Sequence, residues 1–176
     1  ADTTTVAPQA NFSVGSWAKT NLSSGNNYVP LIGRYDANAV NANGEFFFNA
    51  NAVQGRVHAQ VPRAEDSANK DRLNNNGWLR SPGGAFTAEQ WHYVVLVADT
   101  TTVSLYVDGK LAARNSRPTW RVTTAYPLWV GMPAGTTVLG GADAFPTNWA
   151  FADVDYEAGV VLSGATINNR WLAGGL

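Results

Sequence analysis

Three acidic residues alternate near the C-terminal end of the sequence, in the run Asp153-Val154-Asp155-Tyr156-Glu157. On a β-strand, residues i, i+2 and i+4 point to one face, and a pair of carboxylates is what a retaining glycosidase uses as nucleophile and acid. Residues four apart on a strand are separated by about 13 Å, whereas a retaining pair lies about 5 Å apart. A short Asp at position 153 closes little of that gap. We therefore expect no glycosidase activity, and the alternatives are a solvent-facing acidic row or a set of calcium ligands.

Calcium binding is the second chemistry that these acidic residues could support. Hard cations take six to eight oxygen ligands from Asp, Asn and loop carbonyl groups. Asp143 follows a Gly-Gly pair and, together with Asp153 and Asp155, forms the predicted calcium-ligand set; the loop that contains Asp36 and Asn38 is a further source of oxygens. The alternative is that Asp and Asn occupy these segments because they favour turn conformations.

Three tryptophans stand in turn-rich segments beside polar residues. Trp78 follows three Asn and a Gly, Trp120 precedes Arg121, and Trp149 follows Thr-Asn. A sugar ring presents an apolar C–H face that an aromatic side chain can cover, while neighbouring polar groups bind its hydroxyls. Trp78, Trp120, Arg121 and Trp149 are therefore the predicted carbohydrate-binding residues. The alternative is that each ring closes an edge of the core, since aromatic side chains dominate core burial.

The two histidines give a weaker signal. His92 lies between bulky residues of a predicted strand and is expected to be a structural residue with its hydrogen bonds satisfied, whereas His58 is placed where it can face solvent. Neither has a Ser, Cys or carboxylate at a spacing that predicts a catalytic triad. The Gly83-Gly84 and Gly140-Gly141 pairs lack the Lys-Ser/Thr that a phosphate-binding loop needs.

The composition excludes several classes of protein. The chain has 176 residues, of which 45% are hydrophobic and 14% charged, and its net charge is −1. These values favour a globular domain over a disordered chain and argue against a nucleic-acid binder or an anionic-membrane binder. There is no Cys, which excludes disulfides, cysteine metal sites and thiol catalysis. No apolar run reaches the ~20 residues of a membrane span, and the polar residues 1–5 do not show the pattern of a signal peptide.

The elements that must position these residues are strands, because the hydrophobic pattern has period two. Residues 91–98 and 103–107 alternate around the polar turn at Asp99, and Asp108-Gly109 then leads into a third strand at Lys110. Asp-Gly between β-rich runs is a strong hairpin signal, so these residues predict an antiparallel meander.

Further strands are predicted at Phe12–Thr20, Tyr28–Tyr35, Glu45–Asn49, Gly55–Val61, Leu128–Gly131 and Asn148–Leu162. Trp17, Trp91 and Trp129 lie inside strand patterns and are expected in the core. One helical turn near Thr166–Trp171, capped by Ser163 or Thr166, is the single helix candidate. We predict an all-β protein, a two-sheet antiparallel sandwich, with an N-terminal arm at residues 1–10 and one domain over residues 11–176.

Several of these segments carry a resemblance to a known superfamily. The runs Phe12–Thr20, Gln90–Val94, Val103–Leu111 and Pro127–Gly131 resemble strands of the laminin-G-like, concanavalin-A-like jelly-roll superfamily, and Asp153–Tyr156 resembles its last long strand. The resemblance implies a concanavalin-A-like jelly roll and calcium at loop ends. Jelly-roll glycosidases are usually longer, with added loops that build a substrate cleft, and this chain lacks them.

The fold hosts lectins, glycosidases and structural proteins, so function has to be inferred from sites. The leading hypothesis is a non-catalytic module that binds carbohydrate, displayed on a larger assembly and located outside the cell or on a virion or cell surface. The alternative is a structural protein that decorates or cements a virus particle or surface layer. The expected partners are a glycan or other protein subunits, with no nucleic acid and no membrane insertion.

Overall fold

The structure is a computed structural model that describes residues 11–20, 29–35, 44–51, 53–60, 78–116, 128–131 and 149–174. Its strands are β1 Phe12–Thr20, β2 Val29–Tyr35, β3 Gly44–Asn51, β4 Arg56–Gln60, β5 Trp78–Arg80, β6 His92–Ala98, β7 Thr102–Val107, β8 Lys110–Ser116, β9 Leu128–Val130 and β10 Trp149–Ala158. One helix, α1, covers Gly164–Ala173.

These strands form two five-stranded antiparallel sheets. The first sheet has the order β10-β1-β6-β7-β8 and the second has the order β5-β4-β3-β2-β9. β5 contacts β8, so the β10 edge of the first sheet lies at the opposite side of the sandwich from β5. The predicted all-β sandwich is confirmed. Each predicted strand has a counterpart, while β5 was not predicted.

The core between the sheets is built from alternate residues of the strands. Phe12 and Val14 of β1 and Leu96 of β6 are buried there against Ile32 and Phe46 of the second sheet. The rings of Phe12 and Phe46 stack with their centroids 4.8 Å apart. Val94, Leu105 and Val107 of the meander also lie in this core.

The other face of the first sheet is covered by α1. Trp17, Tyr93, Val95 and Tyr106 point to this face and bury Ile167 of the helix completely. Tyr93 and Val95 of the meander lie on the helix side of the sheet. Both faces of β6 are therefore covered, and alternate residues of this strand belong to two different cores.

The Asp108-Gly109 hairpin has the predicted tight turn. Asp108 has φ 50° and Gly109 has φ 73°, and positive φ at both central residues is the type I′ geometry of two-residue hairpins. The Asp108 carboxylate also accepts a hydrogen bond from the Tyr93 amide at 2.9 Å. The turn is thereby tied to the start of β6.

The turn at Asp99 is closed by its own side chain. The Asp99 carboxylate accepts hydrogen bonds from the backbone and hydroxyl groups of Thr101 and Thr102. Burial acts to raise the pKa of Asp99, but these hydrogen bonds outweigh it and lower the pKa to about 2.

Helix α1 is longer than the predicted single turn. Ser163, one of the two predicted caps, is its N-cap, and its hydroxyl accepts a hydrogen bond from the Thr166 amide at 3.1 Å. The helix runs for ten residues. Its extra length comes from packing, since buried Ile167 and partly buried Trp171 hold it against the sheet and tertiary contacts outweigh weak helix propensity.

Candidate functional site

A cleft opens between the C-terminal end of α1 and the helix-covered face of the first sheet. Its volume is about 400 Å³. We call it the helix cleft, and the residues that line it are Trp17, Tyr93, Asp153, Asp155, Arg170, Ala173 and Gly174. It combines aromatic rings, two carboxylates and a guanidinium group in one space.

The segment between β10 and α1 sets the position of the helix. Ser13 of β1 holds this segment, because its hydroxyl donates to the Val160 carbonyl and accepts from the Leu162 amide, at 2.9 and 3.0 Å. Gly109 at the hairpin lies so close to Asn168 and Trp171 that a Cβ there would come within 2.8 Å of the Asn168 Oδ1. The helix is thus fixed to both β1 and the meander.

Two aromatic rings form the apolar floor of the helix cleft. Trp17 and Tyr93 are 5% and 3% exposed, and their ring centroids lie 5.3 Å apart at a tilt of 34°. Gly174 caps the helix, and a Cβ at this position would lie 2.7 Å from the Trp17 Nε1. A side chain at position 174 would therefore push against the floor.

Asp153 enters the helix cleft at a β-bulge. The two steps from Gly15 to Trp17 on β1 correspond to three steps from Asp155 to Ala152 on β10, so β10 has one extra residue here. Asp153 has φ 48°, a left-handed conformation that Asp tolerates better than most residues. A bulge re-aims the side chains around it, and in this case Asp153 and Asp155 line the same cleft.

Arg170 is the electrostatic centre of the site. Its Nη1 donates to the Glu157 Oε1 at 2.5 Å and lies 3.8 Å from the Asp155 Oδ2. The hydrogen bond to Glu157 raises the pKa of Arg170, and the neighbouring Tyr93 hydroxyl acts in the same direction. Burial raises the pKa of the Tyr93 hydroxyl, against the lowering effect of Arg170. The guanidinium therefore joins β10, β6 and α1.

The structure brings some of the predicted site residues together and not others. Asp153 and Asp155 both line the helix cleft. Trp78 begins β5 and Trp149 begins β10, so these two lie on opposite edges of the sandwich. Trp120, Arg121 and Asp143 lie outside the described residues. A sugar platform at Trp120 and Arg121 thus stays a prediction.

Three residues of the site were not predicted as functional. Trp17 is buried, as its strand position predicts, and so is Tyr93, but both residues also line the cleft. Arg170 gave no signal, since its partners are distant in sequence. An Arg in the last turn of a helix that follows an acidic strand is the pattern that could have indicated it.

The residues described in the helix cleft do not make a calcium cage on their own. The Arg170 guanidinium lies beside Asp155 and supplies positive charge where a cation would bind. Within the described ranges, no three His, Cys, Asp or Glu side chains are grouped so as to hold a metal ion. Asp143 and the loop around Asp36 lie outside those ranges, so calcium binding at Asp143, Asp153 and Asp155 stays a prediction.

His92 is a structural residue, as its position in the strand pattern predicts. Its Nε2 accepts a hydrogen bond from the Thr87 amide at 3.0 Å, and its Nδ1 lies 2.8 Å from the Asp108 Oδ2. Because Nε2 accepts a hydrogen bond, the ring proton is on Nδ1, which donates a hydrogen bond to the Asp108 carboxylate. Although the Thr87 hydroxyl is 3.1 Å from Nε2, the backbone amide already uses the nitrogen lone pair that a catalytic base would need.

The expectation that His58 can face solvent is wrong. His58 is 4% exposed, on the inner strand β4, where its register partners are Asn49 of β3 and Arg80 of β5. Burial, followed by the charges of Arg80 and Arg56, lowers its pKa to about 4. His58 is therefore uncharged at neutral pH.

Comparison with known families identifies the class of this protein. A family model described as the concanavalin A-like lectin/glucanases superfamily matches residues 1–147. The chain belongs to this superfamily, which confirms the resemblance carried by its strands. No curated protein sequence matches the chain.

Solved structures with the same fold include binding domains and sialidases. The botulinum neurotoxin serotype D binding domain is 13% identical, with a TM-score of 0.63 over 93% of this chain and 37% of that one. The CBM40 of Ruminococcus gnavus IT-sialidase, bound to α2,3 sialyllactose, is 16% identical, with a TM-score of 0.62 over 94% of this chain and 83% of that one. Trypanosoma rangeli sialidase is 17% identical, with a TM-score of 0.59 over 94% of this chain and 23% of that one.

The chain spans little more than a third of the botulinum domain and about a quarter of the trypanosomal sialidase. At these identities the similarity shows the fold. Among the described residues, no helix is long and apolar enough to cross a membrane.

Proposed function

We propose that this protein is a non-catalytic carbohydrate-binding module and that the helix cleft holds the sugar. The observation that carries the proposal is the arrangement of the cleft, in which the apolar floor of Trp17 and Tyr93 lies beside a guanidinium held between carboxylates. Small-molecule sites combine apolar and aromatic walls with a few oriented polar groups. A sugar has the same duality, with apolar C–H faces and hydroxyl edges.

The polar groups of the cleft match the hydroxyl groups of a sugar. Asp155 is 55% exposed at its side chain and can accept hydrogen bonds, while Arg170 is 35% exposed and has five N–H donors in a fixed plane. Hydrogen bonds to charged groups are stronger than those between neutral groups. The ion pair also holds Arg170 in place before a ligand arrives, which reduces the entropy lost on binding.

The same geometry argues against hydrolysis. A retaining or inverting glycosidase needs two carboxyl groups on either side of the scissile bond, one of them protonated. Asp155 and Glu157 lie on one strand and face a single guanidinium. These two carboxylates therefore lie together at Arg170 rather than on opposite sides of a sugar bond.

Proteins with the same fold support the proposed binding role. The Ruminococcus gnavus module was solved with a bound glycan, and it has this fold without the rest of the sialidase. We propose a glycan as the partner and an extracellular or surface location, as for a displayed binding module. In the alternative, a structural protein that decorates or cements an assembly, the partners are other protein subunits.

A cleft-filling substitution tests the proposal. Ala173 and its neighbour Leu172 are both exposed, Leu172 to 64%. Only Ala173 lines the cleft. Ala173→Trp should fill the cleft and abolish binding of any glycan that the wild type captures on a glycan array. Leu172→Trp adds the same side chain one position away and should bind as the wild type does.

Isothermal titration of the captured glycan gives the result. Loss of binding in Ala173→Trp alone supports the helix cleft as the binding site. Equal affinity of both variants places the sugar elsewhere, and capture of no glycan by the wild type contradicts the proposed function.

A further inference from the structure

The charge of the helix cleft defines a class of sugar. We propose that the cleft selects uncharged sugars and rejects carboxylated ones. This inference rests on the proposed function and deepens it, because it assigns a specificity opposite to that of the sialyllactose-bound module with the same fold.

The described charges around the cleft are mostly negative. Asp153 and Asp155 line it, and Glu157 pairs with Arg170 at its side, so the described site has three carboxylates for one guanidinium. Lys19, two residues beyond Trp17 on β1, is not part of the lining. A carboxylate that enters the cleft therefore meets a net charge of the same sign.

The charge of Arg170 is already balanced by carboxylates of the protein. Its Nη1 donates to Glu157 and lies 3.8 Å from the Asp155 Oδ2. The other N–H groups of the guanidinium can still donate hydrogen bonds to neutral hydroxyls. A sugar carboxylate that reaches them comes close to Asp155 and Glu157, so the guanidinium offers an incoming anion little net attraction.

The repulsion is large enough to set specificity. Repulsion between two like charges 6–8 Å apart changes an affinity by roughly two- to a hundredfold for effective dielectric constants between 80 and 20. The expected discrimination is therefore on the order of tenfold. It should shrink in high salt, where the Debye length falls to about 3 Å at 1 M.

Paired glycans that differ by one acidic sugar test this specificity. An array that presents each neutral glycan beside its carboxylated counterpart, such as lactose beside α2,3-sialyllactose, should give stronger binding to the neutral member. The best pair is then titrated with the wild type at 50 mM and at 500 mM NaCl. The neutral glycan should bind about tenfold more tightly at low salt, and the ratio should decrease at high salt.

Asp153→Asn tests the cause, because it removes one charge with little change of shape. The preference for the neutral glycan should fall about threefold in this variant. Glu89→Gln is the matched control, since Glu89 is an exposed carboxylate outside the lining, and it should leave the preference unchanged.

The outcomes separate the two proposals. Equal or tighter binding of the carboxylated glycan overturns the specificity and leaves the proposed function standing. An unchanged preference in Asp153→Asn also overturns it, because the cleft charge is then not the cause. Binding of neither member of any pair overturns the proposed function, and the specificity falls with it.

Discussion

Substitution of Ile167 by Ala measures how much helix α1 contributes to the stability of the sheet that it covers. Ile167 is 0% exposed and packs against Trp17, Tyr93 and Tyr106. The change removes three carbon atoms, which is about 2.4 kcal/mol at roughly 0.8 kcal/mol per buried CH₂. The cavity left behind adds to this loss, and buried Ile→Ala changes cost roughly 2–5 kcal/mol in total. We expect Ile167→Ala to lower the free energy of unfolding by about 3 kcal/mol.

Urea unfolding followed by tryptophan fluorescence gives this value directly. Leu172→Ala is the control on the same helix, and with 64% exposure it should change the free energy of unfolding by less than about 0.5 kcal/mol. A loss below about 1 kcal/mol in Ile167→Ala would refute the packing of α1 onto the sheet. Equal losses in the two variants would refute it as well.

The remaining predictions concern the cleft floor, pH and calcium. Gly174→Ala should lower the free energy of unfolding by about 1–3 kcal/mol, because its Cβ would lie 2.7 Å from the Trp17 Nε1; a variant as stable as the wild type in urea would contradict this close approach. Folding lowers the pKa of His58 from 6.5 to about 4. Between these two pH values the unfolded chain binds a proton at His58 that the folded protein does not bind. The free energy of unfolding should therefore fall by up to about 3 kcal/mol as the pH decreases through this window. Unfolding curves of His58→Gln should lack this loss, and an equal pH dependence in both proteins would rule out His58 as its source. Addition of a chelator should not weaken glycan binding in the helix cleft, because Arg170 supplies its positive charge; loss of binding that calcium restores would contradict this role.

Local signals predicted most of the fold. The hairpin turn requires positive φ at both of its central residues, and Asp108 and Gly109 tolerate it. Two residues were therefore enough to predict the hairpin. The Ser163 cap could be placed in the same way, because capping is decided within three residues of sequence. β5 was not predicted, since three residues after an Asn-rich segment give no periodicity.

The helix cleft could be predicted only in part. The acidic row indicated Asp153 and Asp155, but alternation alone does not reveal a bulge, which depends on pairing with β1. Arg170 meets Tyr93 and Glu157 only after the chain folds, and no local pattern encodes that contact. His58 was placed on a solvent-facing surface because the sequence does not show that β5 closes that edge of the sheet.

The most direct test of the central claim is an NMR titration of the protein with the neutral glycan captured on the array. We expect the largest chemical-shift changes at the Trp17 indole N–H, the Arg170 side chain and the Gly174 amide, because these groups surround the helix cleft. Shift changes confined to the second sheet, for example at Leu79 and Arg80, would contradict the assignment of the cleft as the sugar-binding site.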